Sequence, residues 1–387
     1  MRFVLSLVIL AVASAPAVAQ VDQKRIDQAI KKGCEWLKTA PSPGHEHSKA
    51  EHCDELILYT FITAGVPESD KRFKALFDRS MSDELHQTYK VALLAMSLEE
   101  LDRVKYQVRI AQCAQHLVDN QIATGLWSYG KPTTYPAFPP VPADVASGGA
   151  KKSGVLDFGA AKEKPKVVRK ISVKKQRDGD GGGDNSNTQY AALGLRACYD
   201  AGIIFEESVI TLAAKWWMES QHPPEDGAAA NAVVSGGGER PRGWSYRMPG
   251  GDEGAKAYGS MSAGGVGAVV IYDYMLKKDW KKNPVARSGM AWLAANYSVT
   301  QNINKGGAWY YYYLYGLERA GILYDTNLIG NHDWYLEGAR VLLAEQKADG
   351  SWDASHFKKP TWDTCFAILF LKRATRRLVA SGPGLKK

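Results

Sequence analysis

Three stretches of this chain stop in the same way. Residues 58–66 end in Ala64-Gly65-Val66, residues 195–203 in Ala201-Gly202-Ile203, and residues 315–322 in Ala320-Gly321-Ile322. A glycine just past a helix takes the left-handed cap conformation, and the apolar residue after it folds back on the last turn. The three stretches therefore read as copies of one helix stop. A second element also recurs. Gln121-x-x-x-Gly125-x-Trp127 and Gln346-x-x-x-Gly350-x-Trp352 share one spacing. Gln221 followed by Gly243-Trp244-Ser245-Tyr246 reads as a third copy with an insertion, since its Trp-Ser-Tyr matches Trp127-Ser128-Tyr129. Locally, Gln ends a helix, Gly turns the chain, and Trp packs back over the helix end with its indole N–H free to donate.

Apolar residues recur at helical spacing through most of the chain, and no segment sustains strict alternation, so strands should be few. Pairing the periodic segments gives six helix hairpins. Their first members lie near 26–40, 72–83, 106–120, 207–221, 284–297 and 333–346. Their second members lie near 52–64, 86–102, 186–201, 259–276, 308–320 and 361–375. Two-helix repeats must stack to bury their apolar faces, either as an open solenoid or as a ring. Two stretches break the period. Residues 131–183, rich in Pro, Ala, Gly and Lys, read as a long disordered insertion, and 222–242 reads as a Gly/Ala/Pro loop. The folded body is then one domain in two blocks, 22–130 plus 184–375, followed by a basic tail over 376–387.

Composition matters mainly through the charge. Apolar residues at 45% and charged residues at 23% are ordinary for a globular protein and exclude collagen-like and multi-span membrane classes. The net charge is +8, but residues 151–177 hold ten Lys/Arg against two acids, and the chain after Cys365 holds six Lys/Arg and no acid. Those stretches carry about +14, which leaves the body near −6. A basic linker and tail on an acidic body do not make a nucleic-acid-binding surface, and no nucleic-acid partner is expected.

Met1-Arg2, the apolar run from Phe3 to Ala13 and the small-x-small Ala17-Val18-Ala19 form the pattern of a secretory signal peptide over 1–19. No other stretch reaches membrane-span length, so an exported protein, periplasmic or extracellular, without an integral span is expected. The five cysteines (Cys34, Cys53, Cys113, Cys198 and Cys365) are widely spaced and form no Cys-x-x-Cys pair. A disulfide framework is not expected; an oxidising compartment would allow a single Cys34–Cys53 bridge between neighbouring helices.

The six hairpins with their Gln-x-x-x-Gly-x-Trp elements resemble the terpenoid cyclase and protein prenyltransferase superfamily, whose members carry prenyltransferase/squalene-oxidase repeats. The resemblance covers most of the chain outside 131–183. It implies an all-α (α/α)6 toroid with an outer and an inner ring of helices and a central cavity lined by the second helix of each hairpin. It carries no catalytic set across. The Asp-x-Asp-Asp acid of squalene–hopene cyclases is absent, and so is the Gly-Cys-Gly-Glu-Gln of complement-type thioester domains.

In such a ring the starts of the second helices converge, bringing together His52, His86, Gln189, Trp309, Tyr310 and Trp362 as candidate ligand-binding residues. Asp363 is the candidate acid, with Trp309, Tyr310 and Trp362 as an aromatic wall. His52, Asp363 and Cys365 are also the ligand types of zinc, although no spacing motif supports a metal. Asp184 and Asn187 read as helix caps. Asp178-x-Asp180-x-Gly182-Gly183-Asp184 looks like part of a calcium loop, but Gln189 stands where the closing Glu belongs. The leading expectation is a small apolar, isoprenoid-like ligand in the central cavity, with or without cyclase-like chemistry. The alternatives are a non-catalytic scaffold that binds a protein or a glycan, and a polysaccharide-active toroid enzyme.

Overall fold

The computed structural model describes residues 22–42, 53–141, 164–224, 239–353, 360–378 and 384–386. Segment 1–19, where a signal peptide is expected, and His52 lie outside the described residues.

Twelve helices of eleven or more residues make up the body among the described residues. The outer helices are α1 (Gln23–Leu37), α3 (Lys71–Ser82), α5 (Gln107–Asp119), α7 (Glu207–Glu219), α9 (Pro284–Ala295) and α11 (Trp334–Glu345). The inner ones are α2 (Asp54–Ala64), α4 (Thr88–Asp102), α6 (Asn185–Asp200), α8 (Gly259–Met275), α10 (Tyr310–Tyr324) and α12 (Pro360–Lys372). Each inner helix packs on the next, and α12 packs on α2, so the inner ring closes. The burial patterns follow from this placement. Helix α1 buries Ile26, Ala29, Ile30, Gly33, Cys34 and Leu37, a stripe on one face. Helix α8 is buried along its whole length, because it has neighbours on every side. Among the described residues the strands are two-residue pairs: β1 (Ile171–Ser172) parallel to β2 (Ile203–Ile204), and β3 (Leu328–Ile329) antiparallel to β4 (His332–Asp333).

The Gln-Gly-Trp element ties one repeat to the next. Each Trp indole donates to a carbonyl near the end of its own outer helix: Trp127 to Leu117 at 2.7 Å, Trp244 to Trp217 at 2.8 Å, and Trp352 to Leu342 at 2.8 Å. Each Trp backbone N–H donates to a hydroxyl in the first turn of the following inner helix, on Thr188, Ser262 or Thr364. Each Gln amide reaches the following outer helix: Gln121 donates to the Val209 carbonyl, Gln221 to Val285 and Gln346 to Ala29. The last of these joins the sixth repeat to the first. Gly350 has φ +95°, and a Cβ there would lie 2.6 Å from the Lys32 carbonyl oxygen, so a side chain would force the closing repeats apart.

Two of the three Ala-Gly sites are helix stops. Gly65 and Gly202 have φ +80° and +83°, and the N–H of Val66 returns to the Phe61 carbonyl. The third is not a stop. Helix α10 runs through Gly321 to Tyr324 and ends at Asp325, which itself takes the left-handed conformation. At Gly321 a Cβ would lie 2.5 Å from the Trp334 indole, so here the glycine makes room for a ring.

The insertion is more structured at its ends than its composition suggests; 142–163 lies outside the described residues. From Lys164 to Val173 the chain runs along the C-terminal ends of inner helices α4 and α6, then climbs back beside α5. Ile171 and Val173 are buried, Gln107 and Gln115 donate to the Arg169 and Lys174 carbonyls, and Gln176 N–H donates to Asp119. The tail also docks. Arg376 forks onto Glu100, Lys386 exchanges backbone bonds with Phe205 and Glu207, and Gly384 N–H donates to the Tyr199 hydroxyl. Lys164 pairs with Glu99 and Glu100. The charge asymmetry thus has a structural cause: part of the basic linker and tail folds onto buried acids of the ring.

Candidate functional site

The two ends of the ring differ. At the inner-helix C-termini the connections are short, and Lys164, Arg103 and Arg376 cover Glu99 and Glu100. Glu318 is fully buried there and accepts bonds from the Thr375 N–H and hydroxyl at 3.0 and 2.6 Å. Burial pushes its carboxyl up to about 7 against those two bonds. At the inner-helix N-termini the connections are long except at 83–87, and the half-buried Trp309, Tyr312 and Trp362 lie together there.

In the middle of the ring, side chains from non-adjacent inner helices meet across the axis. Gln189 on α6 donates to the Tyr312 hydroxyl at 2.6 Å and accepts from Arg319 at 2.8 Å, both on α10. Arg319 is buried, with its guanidinium 4.2 Å from the centre of the Tyr315 ring. Tyr190 stacks on Tyr312, and Phe366 packs against Tyr312 and Tyr315. A buried guanidinium thus stands between rings and one amide on the ring axis, with its Nη1 left without a partner among the described residues. Gln189 supplies that amide.

Above this cluster the mouth is aromatic. Trp309 lies 5.9 Å from Trp362 and 6.5 Å from Tyr312, centre to centre, and all three are half-buried. Trp309 itself takes a left-handed conformation, φ +57°, at the start of α10. Tyr246 lies half-buried beside the α6 cap with Arg247 over its ring, and Tyr129 is exposed and packs edge-on against Tyr89 at 6.3 Å. Asp184 caps α6: it accepts from Asn187 N–H at 2.8 Å, from the Asn187 amide at 2.9 Å and from the Ser186 hydroxyl at 2.7 Å.

The sequence candidates divide accordingly. Trp309, Trp362 and partly exposed Asp363 lie together at the mouth. Tyr310 does not; it is buried and donates to the Val299 carbonyl at 2.7 Å, and its place at the mouth is taken by Tyr312. Helical turns of 100° separate the two, and only the structure fixes the phase. His86 lies between α2 and α4 at the edge of a cleft with Glu55 and Lys90. Cys365 is buried, and burial raises its thiol to about 12, the wrong direction for a thiolate ligand. No group of three or more His, Cys, Asp or Glu side chains converges on a metal position among the described residues. All five cysteines are buried free thiols, Cys34 and Cys53 included. Asp178 and Asp180 pair with Lys175 and Lys131 rather than framing a calcium loop. No described helix is long and apolar enough to cross a membrane.

The fold is similar to that of known α/α toroids. An α-1,6-mannanase of family GH76A from Salegentibacter sp. HEL1_6 matches with TM-score 0.51 at 9% identity, over 90% of this chain and 99% of that one. A family 76 glycoside hydrolase from a bovine Bacteroides thetaiotaomicron strain matches with TM-score 0.50 at 9% identity, over 89% and 77%. A type II terpene cyclase, MstE from Scytonema, matches at TM-score 0.32 and 10% identity, over 91% and 99%. No family model matches the sequence, and no curated protein matches it. The likenesses establish the toroid and leave the chemistry to the site.

Proposed function

We propose that this chain is an exported α/α toroid that binds a glycan across the mouth formed by its inner-helix N-termini. The observation that carries this reading is the placement of half-exposed rings (Trp309, Tyr312, Trp362, Tyr246 and the Tyr89–Tyr129 pair) around that mouth. Sugar faces are apolar and their edges carry hydroxyls, so flat rings beside hydrogen-bonding groups suit them. The buried Arg319 guanidinium on the axis makes the centre a poor host for a purely apolar ligand. The toroid shared with an α-1,6-mannanase makes an α-1,6-linked mannan the first ligand to try.

A hydrolytic reading adds Asp363, the candidate acid, which is partly exposed beside Trp362. The test is affinity electrophoresis against a panel of polysaccharides, with reducing-end release as the second readout. The parent protein is expected to be retarded by at least one glycan, and Trp309→Ala/Trp362→Ala to migrate freely. Hydrolysis that Asp363→Asn abolishes would make the protein an enzyme. Failure of every glycan to retard the parent would end the reading.

A further inference from the structure

Adjacent acids at the start of α2 have different surroundings. Asp54 is engaged: Arg79 bonds it at 2.5 Å and the Ser42 hydroxyl donates to it. Glu55 points into a cleft between α2, α4 and the end of α3, lined also by Ser80, Asp83, Glu84, His86 and Lys90. Glu55 is 5% exposed, and its Oε2 has no hydrogen-bond partner among the described residues; neither has the Ser80 hydroxyl on the same wall. Lys90 Nζ stands 3.7 Å from Glu55 Oε1, too far for a hydrogen bond. An orphaned buried carboxylate oxygen costs free energy until something donates to it.

The surrounding charges select the occupant. A cation would meet the Lys90 ammonium, and an anion would meet Glu55, Asp83 and Glu84. A neutral group that both donates and accepts satisfies the site, giving its proton to Glu55 and taking one from Lys90. The enclosed space suits one water-sized group. Glu55 and Lys90 lie in the first turns of α2 and α4, so the cleft opens at the same end of the ring as the aromatic mouth.

We propose that this cleft is a hydroxyl-recognition subsite in which one sugar hydroxyl donates to Glu55 and accepts from Lys90. The inference rests on the glycan reading and gives it a specificity element: a glycan presenting a free hydroxyl at that point binds, and one substituted there is excluded. Burial raises the Glu55 carboxyl to about 7, because the site withholds water from its charged form.

The experiment measures binding of α-1,6-linked mannan by calorimetry for the full chain, Glu55→Gln, Lys90→Met, the Glu55→Gln/Lys90→Met double variant, and Trp309→Ala/Trp362→Ala. Melting temperature is recorded for each. The double variant removes both charges together, so it stays informative where a single change destabilises the fold. Losing a hydrogen bond to a charged group predicts about a tenfold or greater loss of affinity for Glu55→Gln and for the double variant, with a melting temperature no lower than the parent's. Affinities within twofold of the parent, with Trp309→Ala/Trp362→Ala still abolishing binding, would overturn the subsite, make its occupant a structural water only, and leave the glycan reading standing. Absence of binding by the parent would overturn both.

Discussion

The two ends of this ring are built from the same twelve helices and finished in opposite ways. At the inner-helix C-termini, short turns bring the helices together, and the basic insertion arm and tail cover the acids that the turns leave there. At the N-termini, long connections carry Trp wedges that lock repeats together, and between them remain half-exposed rings. One end spends its charged groups on closing itself; the other keeps polar and aromatic surface outward. That asymmetry is why the proposed glycan site is placed at the N-terminal face.

The largest expected effect concerns the wedges. Trp127→Ala and Trp352→Ala should each cost roughly 3–5 kcal/mol in denaturant unfolding, since each deletes a fully buried ring and an indole bond. A loss below about 1 kcal/mol would show that the N-terminal end is not held by them. The closed end should betray itself through pH. Glu318 is raised to about 7 in the folded state, against an ordinary value of 4.5, so its contribution to stability is present below pH 4.5 and lost as pH rises through 7. Glu318→Gln should remove that loss, making the variant more stable relative to the parent at pH 8 than at pH 4 by about 3 kcal/mol. Parallel stability–pH curves would refute the burial of a charged group there.

Ring closure comes next. Gly350→Ala adds a side chain at a left-handed backbone position facing the Lys32 carbonyl, and should cost about 2 kcal/mol. An unchanged midpoint would mean that the first and sixth repeats do not meet as described. The smallest effect belongs to the mouth. Trp309→Ala and Trp362→Ala should each change stability by less than about 1 kcal/mol, because both rings are half-exposed, while removing glycan binding.

Much of this was legible in the sequence. The six hairpins could be paired from helical periodicity, and the Gln-x-x-x-Gly-x-Trp spacing marked the connections. What spacing could not convey was reach: Gln346 bonds Ala29 from the far end of the chain. The Ala-Gly signature misled at Gly321 because a glycine that admits a ring reads like one that ends a helix. Tyr310 was preferred to Tyr312 because four consecutive tyrosines give no phase. The insertion arms seemed structureless because few of their residues are apolar; their order comes from Gln107, Gln115 and Asp119, which are distant in sequence. Glu55 was missed, although an acid directly before Leu56-Ile57-Leu58 in an inner helix is a sign of a buried carboxyl.

Hydroxyl-radical footprinting of the full chain, with and without a bound glycan, compares both faces at once. The account predicts that α-1,6-linked mannan, or whichever polysaccharide retards the protein, protects Tyr89, Tyr129, Trp309 and Trp362 and leaves the half-buried Tyr106, Trp280 and Tyr324 at the closed end unchanged. Protection confined to the closed end, with the mouth still fully oxidised, would contradict it.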